Sequence, residues 1–324
     1  MIKKVMATSI ALALATASLM FASPAQAAST LPAFSSQGEV LDKASLTYNP
    51  TGEFIFPSVI DASTHFAHPK AKWYLYYAPH EAPGGVSLAY SNSLDGPWTE
   101  YAANPVIANT WSPNYSVNHV SSPDAVWNTD EDKMFLYFHG DNTKTRFATS
   151  SDGIQFTYGG VAVDAASLGA STTEVSYARV FPYPASSATV KWGMFFMQNT
   201  TANKRVIRAA TSGDGRHWNI RPDVLVSPSS LNSGNVSGAN LLQQGGQNYV
   251  IYHTSSGKIF ARPINADLTS PGAEQLFFKA SGVGNDTGRA ASPEVIQDGN
   301  RLYLFYEAGE RLDATIKYAV ADVN

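Results

Sequence analysis

The chain has 324 residues, a formal net charge of −4 at pH 7 and no cysteine. That length suits one large domain. With no disulfides available, stability must come from burial and sheet closure. The mild acidity and the lack of any basic run exclude a nucleic-acid partner.

At the N-terminus, Lys3 and Lys4 precede an apolar run from Ile10 to Phe21, and Ala25-Gln26-Ala27 has the small-residue pattern of a cleavage site. Residues 1–27 therefore read as a secretory signal peptide, too short in its apolar run for a spanning helix. The expected location is secreted or periplasmic, with no membrane association once the signal is removed, and residues 28–324 form the domain.

The next segment, Gly38 to Leu46, has strand-like composition. Beyond it a two-strand motif recurs five times at intervals of roughly 60 residues, the signature of a propeller with one blade per repeat. Its opening strands are Phe56-Pro57-Ser58-Val59-Ile60, Ser122-Pro123-Asp124-Ala125-Val126, Tyr177-Ala178-Arg179-Val180-Phe181, Gly238-Ala239-Asn240-Leu241-Leu242 and Ser292-Pro293-Glu294-Val295-Ile296. Each is followed by an aromatic-rich strand, beginning at Tyr74, Phe135, Met194, Tyr249 and Tyr303. Ser93 to Trp98, Ser151 to Phe156 and Ser212 to Trp218 each carry Asp-Gly before an aromatic, which suits tight turns between third and fourth strands. Lys258 to Ile264 is the third strand of a leaner fourth blade. Thr315 to Val320 ends the fifth blade without an outer strand, so Gly38 to Leu46 is expected to supply one and close the ring. The predicted fold is all-β: a single-domain, five-bladed β-propeller.

A propeller brings the first strand of every blade to a common axis. If alternate side chains of the openings face it, an outer ring of Phe56, Ser122, Tyr177, Gly238 and Ser292 lies above a polar ring of Ser58, Asp124, Arg179, Asn240 and Glu294. Burying such groups without a task is costly, so the polar ring is expected to line a functional pocket. The other reading is an internal salt-bridge network of Arg179 with Asp124 or Glu294. The ends of the second strands align as Ala78, His139, Met197, His253 and Glu307. His80 lies two residues past Ala78, and His119 three before Ser122.

These motifs resemble the five-bladed propeller carbohydrate enzymes of glycoside hydrolase family 43 and its relatives in families 32, 62, 68 and 117. The resemblance spans residues 38–324 and is strongest in Leu88 to Trp98 and in Ser292 to Ile296 with Tyr303 to Tyr306. It implies a secreted hydrolase acting on a plant or microbial polysaccharide or oligosaccharide. Family 43 places a general-base Asp before the Pro of blade one, a second Asp in blade two and a general-acid Glu opening blade three. Here the first position is Phe56. Asp124 follows its Pro, and blade three offers Glu174, with the position in register nearer Ser176. The chain also resembles propeller-fold polysaccharide lyases, in which His and Tyr act with Arg on a uronate. A third reading is a carbohydrate-binding propeller without catalysis.

The expected catalytic residues are Asp124, Glu294, His119 and Arg179. A hydrolase needs two opposed carboxylates about 5–9.5 Å apart, for which Asp124 and Glu294 are the candidate pair. A lyase would use Arg179 against the uronate carboxylate and His119, His139 or Tyr177 for proton transfer, imidazole being suited to both directions near neutral pH. Ser58, His80, Ser122, His139, Tyr177, Asn240, His253 and Glu307 are the expected substrate-binding residues. No cofactor motif is present. The resemblance allows a structural Ca²⁺ or other cation on the axis, with His253 and Glu307 as ligands. The expected partner is carbohydrate, and the expected state a monomer.

Overall fold

The computed structural model describes residues 31–231, 234–284 and 286–323. The signal peptide assigned to residues 1–27 lies outside the described residues. Among the described residues no helix is long and apolar enough to cross a membrane.

The described residues form five antiparallel four-stranded sheets, each running from the axis outward, plus a two-stranded ribbon of Thr110–Trp111 and Tyr115–Ser116. The innermost strands are Ile55–Asp61, Val120–Asn128, Thr172–Pro182, Val236–Gln244 and Arg289–Asp298. The predicted five-bladed propeller is the observed fold.

The aromatic second strands explain the packing. Successive side chains on a strand face opposite ways, so each second strand feeds two cores. In blade one, Tyr74 and Tyr76 join Leu136 and Phe138 of blade two, while Leu75 and Tyr77 join Phe305 and Ile316 of blade five. Similar cores join blades two and three, three and four, and four and five. Burying one such side chain contributes roughly 1.5–3 kcal/mol.

The ring closes as expected, with a shifted strand. Ser35–Glu39, not Gly38 to Leu46, pairs with Thr315–Asp322, from Ser35 opposite Val320 to Glu39 opposite Lys317. Pairing ends just beyond, at Val40, because Asp42 caps a short 3₁₀ turn, Lys43–Ser45, accepting the Ala44 N–H at 2.9 Å. The Asp-Gly turns do more than reverse the chain. Tyr76 donates its hydroxyl to Gly153 O and Tyr137 to Gly215 O, each at 2.6 Å and each across a blade junction. Tyr303 reaches Asp95 of blade one at 3.1 Å.

Every innermost strand is bulged at one equivalent position. The pairing slips between Ile55 and Ser58, Ser121 and Asp124, Ser176 and Arg179, Ser237 and Asn240, and Ala291 and Glu294. The first bulge residue is left-handed in all five: Phe56, Ser122, Tyr177, Gly238 and Ser292, with φ between 45° and 58°. Only glycine takes this conformation without strain. The bulge sets two residues against one on the neighbouring strand. It therefore breaks the simple alternation on which the two rings were predicted.

Candidate functional site

At the axis, the expected polar ring forms a plug. Arg179 donates to Asp124 Oδ1 at 3.2 Å, to Pro123 O at 3.3 Å and to Pro57 O at 2.9 Å, and lies 3.5 Å from Glu294 Oε2. Asn240 Nδ2 donates to Glu294 at 2.7 Å. Asp124, Arg179 and Glu294 are all buried. The ring is polar for a structural reason. The inner edge of each blade is a bare strand edge whose N–H groups need acceptors. Ser58 Oγ accepts Ala125 N–H of blade two at 2.9 Å, and Asp124 Oδ2 accepts Val180 N–H of blade three at 2.7 Å. In blade five, the Val59 backbone of blade one acts on the Glu294 carboxylate and favours its charged form. Arg179 has no acceptor to offer, and Asn240 Oδ1 instead takes its own neighbour's N–H, Leu241, at 2.8 Å. Burial pushes Glu294 up to about 7, helped by the Asp124 charge and opposed by Arg179. Burial also raises Asp124, against the pull of Arg179.

Above the plug lies an aromatic layer. Phe56 and Tyr177 meet edge to face at 5.3 Å between ring centroids, Phe56 packs on His80 at 4.7 Å, and Tyr177 lies 6.3 Å from His139 and 5.9 Å from His253. This layer floors a cavity of about 360 Å³ at the start of the innermost strands.

His80, His119, His139, Tyr177, His253 and Glu307 line the cavity as expected. Ser58, Ser122, Asp124, Arg179, Asn240 and Glu294 do not. The expectation that Asp124, Glu294 and Arg179 face substrate from the pocket wall is not met, because the bulge turns their positions down into the plug, the ion-pair network that was the other reading. Ser122 Oγ is buried without a partner. The second-strand alignment holds in full, since Ala78, His139, Met197, His253 and Glu307 each sit opposite the residue before a bulge.

Glu174, Arg205, Arg289 and Arg311 also line the cavity and were not expected there. A signal for two of them was present in the sequence. His119 lies three residues before the left-handed Ser122, and the same offset in the other blades gives Glu53, Glu174, Asn235 and Arg289. Every member of that ring is polar, and Glu174 and Arg289 face the cavity beside His119.

The polar groups are held in pairs. Glu307 accepts from Arg289 at 2.8 Å, while its Oε1 is buried with no partner. Glu174 Oε1 accepts the Ser176 hydroxyl at 2.8 Å. His80 bonds the buried Glu53 carboxylate at 3.0 Å, and Leu312 N–H adds a 2.9 Å bond. Burial pushes Glu53 up, but these contacts outweigh it and the net shift is downward. His119 Nε2 lies 3.3 Å from His139 Nε2, so one ring donates and the other accepts. Burial, reinforced by His119, His80 and Arg146, holds His139 well below the usual imidazole range. His253 Nδ1 accepts Ser292 N–H at 3.1 Å. A backbone N–H can only donate, so the neutral ring carries its proton on Nε2.

A cation on the axis does not fit this arrangement. The axial position is filled by the Arg179 guanidinium, which touches backbone or side chains of blades one, two and five. His253 Nδ1 and Glu307 Oε2 are already engaged by donors. Among the described residues no group of three or more His, Asp or Glu side chains is arranged to hold a metal ion.

This architecture is that of the five-bladed propeller glycoside hydrolases. The chain superposes on the catalytic domain of the GH62 α-L-arabinofuranosidase from Coprinopsis cinerea with a TM-score of 0.62 at 14% identity, covering 90% of this chain and 97% of that one. It superposes on the α-L-arabinofuranosidase of Podospora anserina, solved with cellotriose, with a TM-score of 0.59 at 10% identity, covering 91% and 97%. A thermostable family-43 glycoside hydrolase gives 0.56 at 14% identity, covering 84% and 90%. No protein-family model and no curated protein matches the sequence.

Proposed function

We propose that the protein is a secreted or periplasmic glycoside hydrolase that cuts a plant or microbial polysaccharide or oligosaccharide in this cavity, acting as a monomer. The observation that carries the reading is the presence of two carboxylates, Glu174 of blade three and Glu307 of blade five, on the wall of one polar pocket. Their blades lie two apart around the ring, and the charges of both reach Tyr177 on the floor between them. Glycoside hydrolysis needs two carboxyl groups flanking the scissile bond, one to protonate the leaving oxygen and one to activate water or attack the sugar. Glu307, charge-paired with Arg289 and with one oxygen unbonded, suits the base or nucleophile. Glu174, the second carboxylate on the same wall, takes the acid's place in this reading. His119, open to the cavity and bonded to the buried His139, can pass a proton between pocket and solvent. In this reading Asp124, Arg179 and Glu294 hold the floor from below.

A uronate lyase is the second reading, favoured by the position of Tyr177 between His139 and His253. One experiment separates the two. Purified protein is incubated with a panel of polysaccharides, and both reducing ends and absorbance near 235 nm are followed. The hydrolase reading expects reducing ends without absorbance, and Glu174→Gln and Glu307→Gln each losing at least about a hundredfold in turnover. Absorbance rising with each cut would replace it with the lyase. Sugar binding without any cut would leave a carbohydrate-binding propeller.

A further inference from the structure

Arg205, at the start of the third strand of blade three, carries a guanidinium that makes no hydrogen bond among the described residues. Glu174 Oε2 is its ionic neighbour at 3.9 Å, beyond hydrogen-bond reach, and its Nε is buried without a partner. A guanidinium offers five N–H donors and no acceptor, so this group is poised for an anion. Arg289 commits one terminal nitrogen to Glu307, and its Nε is likewise buried and unpartnered. His253 stands with them, its Nε2–H fixed as a donor by the bond from Ser292 to Nδ1. All three residues line the central cavity and also a second one of about 170 Å³ on the blade-four side, which Asn235 and Ser237 help to complete. The wall between the two cavities is therefore built from donors.

We propose that Arg205, Arg289 and His253 bind the carboxylate of an acidic sugar, so that the substrate carries a uronosyl residue beside the bond that is cut. A planar, two-oxygen anion matches the fork of a guanidinium, and His253 adds a third donor. The inference rests on reading the cavity as a sugar site, but not on which bond is broken.

Monosaccharides have no glycosidic bond to cut, so wild-type protein can be titrated without turnover. Glucuronate and galacturonate are compared with glucose, galactose and inorganic sulfate by ligand-observed NMR. Uronates are expected to bind at least about tenfold more tightly than the neutral sugars, and Arg205→Met to remove at least about tenfold of that affinity. Beyond its 3.9 Å ion pair with Glu174, Arg205 holds no group in place, so this variant should fold, which circular dichroism checks. Arg289→Lys, which keeps the charge and loses the fork, should weaken uronates and spare neutral sugars. Neutral sugars binding equally well, or uronate affinity unchanged in Arg205→Met, would overturn the proposal. Sulfate outcompeting both uronates would also overturn it, in favour of a sulfated sugar. Uronate binding without cleavage of any substrate would leave the proposal standing and end the hydrolase reading. Cleavage of neutral polysaccharides with no uronate binding would do the reverse.

Discussion

Two buried groups close to the axis titrate in opposite senses, and stability should record both. His139 is held neutral by burial, so its folded pKa lies below the ordinary value of 6.5. Its contribution is complete above pH 6.5 and is lost as the pH falls. Glu294 has a folded pKa of about 7, raised from 4.5 by burial. Its contribution is complete below pH 4.5 and is lost as the pH rises toward 7. The two effects oppose each other across the acid range. Urea unfolding at pH 5 and pH 8 should show the deficit of His139→Asn shrinking at the lower pH. Glu294→Gln should gain on wild type at the higher pH. Stability curves parallel to wild type for both variants would show that neither group carries the shift. The polar character of position 294 was legible in the sequence. Its role was not, because its partners Asn240 and Arg179 come from other blades, far away in the chain.

At the level of the element, the Asp-Gly turns join blades as well as reversing the chain. Gly153 has φ of +72°, and a Cβ there would lie 2.7 Å from the Tyr76 hydroxyl and 2.8 Å from the Phe66 ring. Gly153→Ala should therefore strain the turn and also push out the tyrosine it latches. The expected cost is about 1–3 kcal/mol by thermal unfolding, the ordinary range for a strained backbone position. Tyr76→Phe removes only the bond and leaves a buried carbonyl unpaired, for about 1–3 kcal/mol. The double variant should cost clearly less than the sum, because each change breaks the same latch. Additive losses would mean that the two residues act separately. The turns themselves were legible from Asp-Gly and the following aromatic. The latch was not, since its partner lies in the preceding blade.

For the whole molecule, closure of the ring is the decisive contact. Ser35–Glu39 supplies the outer strand of blade five, and Val40 N–H extends the pairing to Ile316 O at 3.0 Å. A protein beginning at residue 42 would expose the edge of Thr315–Asp322 and uncover part of the core shared by blades one and five, where Val40 packs. Such a truncation should melt at a markedly lower temperature and aggregate more readily. An unchanged melting temperature would show that a three-stranded fifth blade suffices. Composition indicated that a segment before blade one would close the ring. Its register came out several residues earlier, because the Asp42 cap ends the strand.

The sequence by itself determined the repeat, the blade count and the alignment of His139, His253 and Glu307. These follow from local periodicity, which survives in a one-dimensional reading. Only the tertiary structure decided which polar ring faces the cavity. A bulge with a left-handed residue in every innermost strand interrupts the alternation, sending Asp124, Arg179 and Glu294 down to serve the unpaired inner edges. The same bulge leaves Phe56 and Tyr177 as the floor. The offset ring containing His119, Glu174 and Arg289 was written in the chain, but a pocket was expected at the bulge itself. Its members converge only because blades far apart in sequence are wrapped around one axis.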